Sequence, residues 1–165
     1  MNTEEKLQSG SELVKEWVLS TSTPETNRVD LMIAPENIKK AVAALLDNQW
    51  GYLSAITGMD HPEYETDENG VKRASADKGA LELLYHFTGG AAVLTLRLIL
   101  PYDSAAVDSI CDLDAAAQLF EREAAELFGI EFLGAPSTEH LVLPDSWPEG
   151  VYPLRKSFTG LKKES

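Results

Sequence analysis

The chain has 165 residues, 44% of them apolar and 25% charged, which suits one globular domain with a modest core. Fourteen basic residues stand against 27 acidic ones, and the net charge of -13 opposes binding to phosphate backbones or anionic lipid surfaces. Cys111 is the single cysteine, which excludes an intrachain disulfide, a thiolate zinc site and a cluster held by four cysteines; no cofactor is expected in this chain. The longest apolar run, Ala91 to Leu100, is broken by Thr95 and Arg97, and Met1 to Glu5 lacks the basic-then-apolar order of a secretory signal. Neither a membrane span nor export is predicted, and the expected location is cytoplasmic.

Ser9 and Glu12 have the spacing of a capping box, and Leu13, Val14, Trp17 and Val18 then share one side of a short helix. Polar Ser20 to Asn27 is expected to end it, so that residues 1–27 read as an N-terminal helix and linker. Val29, Leu31 and Ile33 alternate with Asp30 and Met32 as in a half-buried strand. Pro35 suits the first turn of the next helix, whose buried stripe is Ile38, Ala41, Val42, Leu45 and Leu46. Gly51 to Thr57 reads as a second strand, and the polar stretch from Asp60 to Gly79 as a mobile loop. Leu81 to Phe87 and Ala91 to Leu100, separated by Thr88-Gly89-Gly90, predict a tight hairpin that places Leu94, Leu96, Leu98 and Leu100 on one face.

Asp112 and Asp114 stand where carboxylates favour a helix N-terminus, and Gly129 where glycine stops one. The helix between them would pack Leu113, Ala116, Ala117, Phe120, Ala124, Leu127 and Phe128 on the sheet. Glu121 and Glu123 flank that stripe, and Arg122 points away with Glu126 one turn on. Beyond Gly129 no period persists, and four of the eight prolines, Pro136, Pro144, Pro148 and Pro153, fall there. Trp147, Leu154 and Phe158 make this stretch too apolar to float in water, and Arg155, Lys156, Lys162 and Lys163 against Glu164 leave residues 151–165 at about +3, with about -16 before them. The predicted fold is therefore α+β: a small mixed sheet with a β-hairpin, packed by amphipathic helices over residues 1–129, and an extended partner-binding tail over 130–165.

The run Phe120-Glu121-Arg122-Glu123-Ala124-Ala125-Glu126-Leu127-Phe128-Gly129-Ile130 resembles a segment of the 30-kDa (C) subunit family of NADH-quinone oxidoreductase, respiratory complex I. Gly134-Ala135-Pro136, Leu143-Pro144-Asp145-Ser146-Trp147 and Pro153-Leu154-Arg155-Lys156 follow in that family's order, and Gly58-Met59-Asp60-His61-Pro62 resembles its upstream turn. Ala125, Ala135, Glu139, His140 and Ser157 depart from the usual pattern, which leaves the energy-converting hydrogenase and formate hydrogenlyase branches open. The resemblance implies a non-catalytic structural subunit on the cytoplasmic side of a membrane complex. Its tail would lie on a large hydrogenase-like subunit, beside an Fe-S-bearing subunit that carries the clusters.

The expected partner-binding residues are Glu121, Arg122, Glu123, Pro144, Trp147, Leu154, Arg155, Lys156 and Phe158. A guanidinium at Arg155 can clamp a carboxylate with two parallel hydrogen bonds, whereas Lys156 supplies a more mobile charge. No catalytic or metal site is expected: His61, His86 and His140 lack ligands at metal spacing, and Glu121 and Glu123 diverge by about 200° around a helix. A free-standing adaptor and a small histidine-dependent hydrolase or isomerase are the competing readings.

Overall fold

A computed structural model describes residues 1–162; the last three residues of the expected tail, 163–165, lie outside the described residues. The first helix, α1, runs Thr3–Val14 and is capped by Asn2, whose side chain accepts from the Glu5 amide while the Glu5 carboxylate accepts from the Asn2 amide. The capping box is thus earlier than Ser9 and Glu12; Ser9 lies inside the helix and its hydroxyl donates to the Lys6 carbonyl. The expected linker is also different. Val18–Glu25 forms strand β1, pairing antiparallel with β2, Arg28–Ile33. All but one residue of β1 is exposed, so it has backbone partners on one side and no apolar alternation to betray it.

Pro35 opens a tight turn to Asn37 that feeds α2, Ile38–Asp47, and Ile38, Ala41, Val42 and Leu45 are buried. Strand β3, Tyr52–Thr66, pairs antiparallel with β4, Lys72–Gly89, along nearly their whole lengths. The segment 60–79, expected as a loop, is mostly the outer half of this hairpin. Its backbone ladder is interrupted at residues 75–78, where Ser75 Oγ accepts from the amides of Asp77 and Lys78, and its turn is held by Asp67, whose carboxylate accepts from the amides of Asn69 and Val71. A second hairpin joins β4 to β5, Ala92–Pro101, with Gly89 opposite Ala92.

The five-stranded sheet has the order β1-β2-β5-β4-β3, antiparallel except for the β2–β5 pair. One face carries Leu31, Leu83, Tyr85, Leu94, Leu96 and Leu98, all at most 1% exposed, and α1 packs there against Leu94 through Gly10. The helix α3, Ala117–Phe128, packs on β3 on the same face. A Cβ on Gly58 would come within 2.5 Å of the Phe128 ring, so only hydrogen allows this approach. The other face carries a charged row: Arg28 and Arg97 both reach Asp30, while Arg97 and His61 reach Glu82. Asp30 and Glu82 are buried, and cation pairing keeps that burial tolerable.

Two short parallel strands, β6 (Ala106–Asp108) and β7 (Glu131–Leu133), form a separate sheet beside α3. The helix begins later than the sequence suggests. Asp112 pairs with Lys39 at 2.7 Å, each holding the other in its charged form, while Asp114 accepts the Ala116 amide in a turn before the helix. Leu113 and Ala116 are accordingly exposed, outside the buried stripe expected of them. Gly129 ends α3 at φ 78°, a left-handed conformation that favours glycine.

Candidate interaction site on helix α3 and the C-terminal tail

Helix α3 holds two chain segments through three acidic or basic side chains. Glu121, 2% exposed, turns inward: its carboxylate accepts from Ser109 Oγ at 2.6 Å, the Ile110 amide at 2.8 Å and Cys111 Sγ at 3.2 Å. It fastens the chain leaving β6. Burial pushes the Cys111 thiol up, the bond with Ser109 opposes this, and the bond to Glu121 adds to the upward shift, which makes the thiol a donor rather than a nucleophile. Nearby, the fully buried Tyr85 hydroxyl is pushed well above its ordinary range by burial and then by Glu121.

Arg122 and Glu126, one turn apart, grip the tail. Arg122 Nε donates to the Glu139 carbonyl at 3.1 Å and Nη2 to the His140 carbonyl at 2.9 Å. Glu126 accepts from the amides of Leu141 (3.0 Å), Val142 (2.6 Å) and Leu143 (3.5 Å), and contacts His140 Nδ1 at 3.0 Å. The two residues thus hold opposite ends of one tail segment rather than each other. Glu123 lies exposed.

A second fastening lies further along. The Leu154 amide donates to the Leu127 carbonyl at 3.1 Å, and Arg155 Nε to the Phe128 carbonyl at 2.6 Å. These are two of the last-turn carbonyls that a helix cannot satisfy internally. Arg155 also stacks 4.4 Å from the Tyr102 ring centroid and 5.4 Å from that of Tyr152, a cation–π arrangement. The buried Asp60 carboxylate accepts from the Tyr102 hydroxyl and, at 2.7 Å, from the Lys156 amide. Burial first, then the Asp60 bond, push the Tyr102 phenol up to about 12.

Between the fastenings the tail proceeds by turns. The Pro144 carbonyl accepts the Trp147 amide at 2.9 Å, and the Trp147 indole donates to the Val151 carbonyl at 2.7 Å and packs 6.1 Å from Phe158. Of the nine residues expected to meet a partner, Glu121, Arg122, Pro144, Trp147, Leu154, Arg155, Lys156 and Phe158 therefore hydrogen-bond to other segments or turns of the chain. Glu121 is buried, and Glu123 and Pro144 are exposed. Glu126, Asp60 and Tyr102, absent from that set, carry much of the fastening. Glu126 was visible only as an acidic residue four positions after Arg122, and Asp60 only as part of a turn. His61 and His86 belong to the sheet's polar face, where His86 meets Thr95 and Thr57 at 3.0 Å each.

The profile of one family, described as "Respiratory-chain NADH dehydrogenase, 30 Kd subunit", matches residues 31–164. The chain belongs to that family. Among relatives of this 30-kDa-family chain, the membrane-bound hydrogenase subunit beta of Pyrococcus furiosus is 35% identical over 145 residues, covering 78% of this chain and 84% of that protein. A subunit of the F(420)H(2) dehydrogenase of Methanosarcina mazei is 33% identical over 114 residues, 68% of this chain and 63% of that one. A solved archaeal respiratory membrane complex, the membrane-bound sulfane sulfur reductase, contains a chain of the same fold. Its TM-score is 0.67 at 18% identity, covering 96% of this chain and 88% of that chain. The α+β fold with its mixed sheet is thus the family's, and the chain is a subunit of the complex I-like or energy-converting hydrogenase kind. Among the described residues no helix is long and apolar enough to cross a membrane.

Proposed function

We propose that this chain is a non-catalytic positioning subunit of the peripheral arm, on the cytoplasmic side, whose tail docks the large hydrogenase-like subunit. The clusters that carry electrons reside in that subunit's Fe-S-bearing neighbour. The observation behind this reading is the division of labour within the tail. Its backbone is fastened to α3 and β3, while Leu141, Val142 and Leu154 stand 40%, 61% and 50% exposed. Apolar side chains on a backbone already held in place lose little entropy on binding, so they favour a stable contact surface. A tail wrapped only on a neighbour would have left those main-chain groups for the neighbour to satisfy.

The 35% match to a membrane-bound hydrogenase subunit supports a second reading of the same role, in an energy-converting nickel-iron hydrogenase or formate hydrogenlyase rather than in a quinone-reducing complex. Both readings share one test. Leu141→Asp, Val142→Asp and Leu154→Asp, introduced together, replace exposed side chains and should leave the body folded, which circular dichroism checks. Capture of an Fe-S-containing complex in mild detergent is expected to fall at least about tenfold, equivalent to about 1.4 kcal/mol. Undiminished capture would refute tail docking.

A further inference from the structure

Beneath the tail lies a groove of about 750 Å³ between α3, β7 and residues 135–152, within the range that holds a ligand or short peptide segment. Its apolar walls include Ile130, Phe132, Trp147 and Tyr152. Five carboxylates line it. Those of Glu121 and Glu126 are occupied by internal donors, whereas the side chains of Glu131, Asp145 and Glu149 are exposed and enter no hydrogen bond or ion pair among the described residues. Arg122 also lines the groove, but its guanidinium is engaged with the tail carbonyls. The groove therefore combines an apolar interior with uncompensated negative charge.

Aromatic geometry adds to this. Tyr152 borders both this groove and an adjoining one that contains Arg155, whose guanidinium already lies 5.4 Å from the Tyr152 ring. The ring is one that a cation can approach, and Trp147 supplies a second.

Resting on the docking role above, we propose that the groove receives a basic, apolar segment of the large partner subunit, with Lys or Arg side chains among apolar ones. Their alkyl stems pack on Trp147 and Tyr152, which are part-exposed, and their charged heads reach the carboxylates of Glu131, Asp145 and Glu149. An acidic segment would meet like charge there.

Glu131→Lys, Asp145→Lys and Glu149→Lys, combined in the full chain, test this in the assembled complex. Capture of the large subunit is expected to fall at least about tenfold and to lose most of its dependence on salt, because the attraction being removed is ionic. Glu16→Lys, Glu36→Lys and Glu68→Lys make the same change in net charge on exposed positions elsewhere and should leave capture unchanged. A photo-crosslinker in place of Glu149 should attach to a Lys- or Arg-bearing peptide of the large subunit. Attachment to an acidic or uncharged segment, or to this chain itself, overturns the proposal, as does capture indifferent to the groove reversals. If capture survives the groove reversals but fails with the three exposed apolar residues replaced, docking stands without the groove. If it survives both, docking itself falls.

Discussion

Arg122 can only donate hydrogen bonds and an ionised Glu126 can only accept them, so one helical turn offers a tail segment both kinds of partner its backbone needs. Burial raises the cost of charge on Glu126. The amides of Val142 and Leu141, with His140, outweigh it and hold the carboxyl below its ordinary 4.5. A folded-state value below the unfolded one means the contribution is fully present above about pH 4.5 and is lost as pH falls through the lower, folded value. Hydrogen exchange at Leu141, Val142 and Leu143 is the measurement: protection should hold through neutral pH and fade in acid. At pH 7, Glu126→Gln should speed exchange there about tenfold, since charge-assisted bonds contribute roughly 1.5–3 kcal/mol. Equal exchange in the two proteins would remove the latch.

At the scale of elements, the approach of α3 to β3 depends on an absent side chain. Gly58→Ala places a methyl against the ring of Phe128, which is itself in the core and has little room to move. Overpacking of this type costs about 1–3 kcal/mol, so thermal unfolding should shift down by several degrees. An unchanged midpoint would mean that the helix can slide on the sheet. The edge strand β1 shows the opposite case, an element made with hardly any burial. Its Ser, Thr and Pro24 are poor invitations to further strand pairing, which is how an exposed edge avoids aggregation.

For the whole molecule, Asp60 is the residue that closes the chain on itself. Through one carboxylate, β3 holds Tyr102 just after β5 and the amide of Lys156, which is 96 positions away in sequence. Asp60→Asn weakens both contacts without changing the side chain's size. Trypsin cleavage at Arg155 and Lys156 should then become several-fold faster, while the far-ultraviolet circular dichroism of the sheet stays as it was. Loss of the dichroism along with the tail would show that Asp60 holds the fold rather than the tail.

The sequence by itself determined the core. Period-two leucines in β5, the Ile38–Leu45 stripe of α2 and the stop at Gly129 were legible because burial imposes a local rhythm on adjacent residues. The ordered block around Glu121–Gly129 and Pro153–Lys156 likewise sufficed to indicate the family. Only the tertiary structure decided the rest, for two physical reasons. Polar strands such as β1 and the outer part of the β3–β4 hairpin are held by backbone bonds that leave no mark on side-chain pattern. A carboxylate such as Asp60 or Glu126 takes its role from amides brought to it by the fold, so residue type and local spacing were not enough to distinguish a solvated charge from a latch.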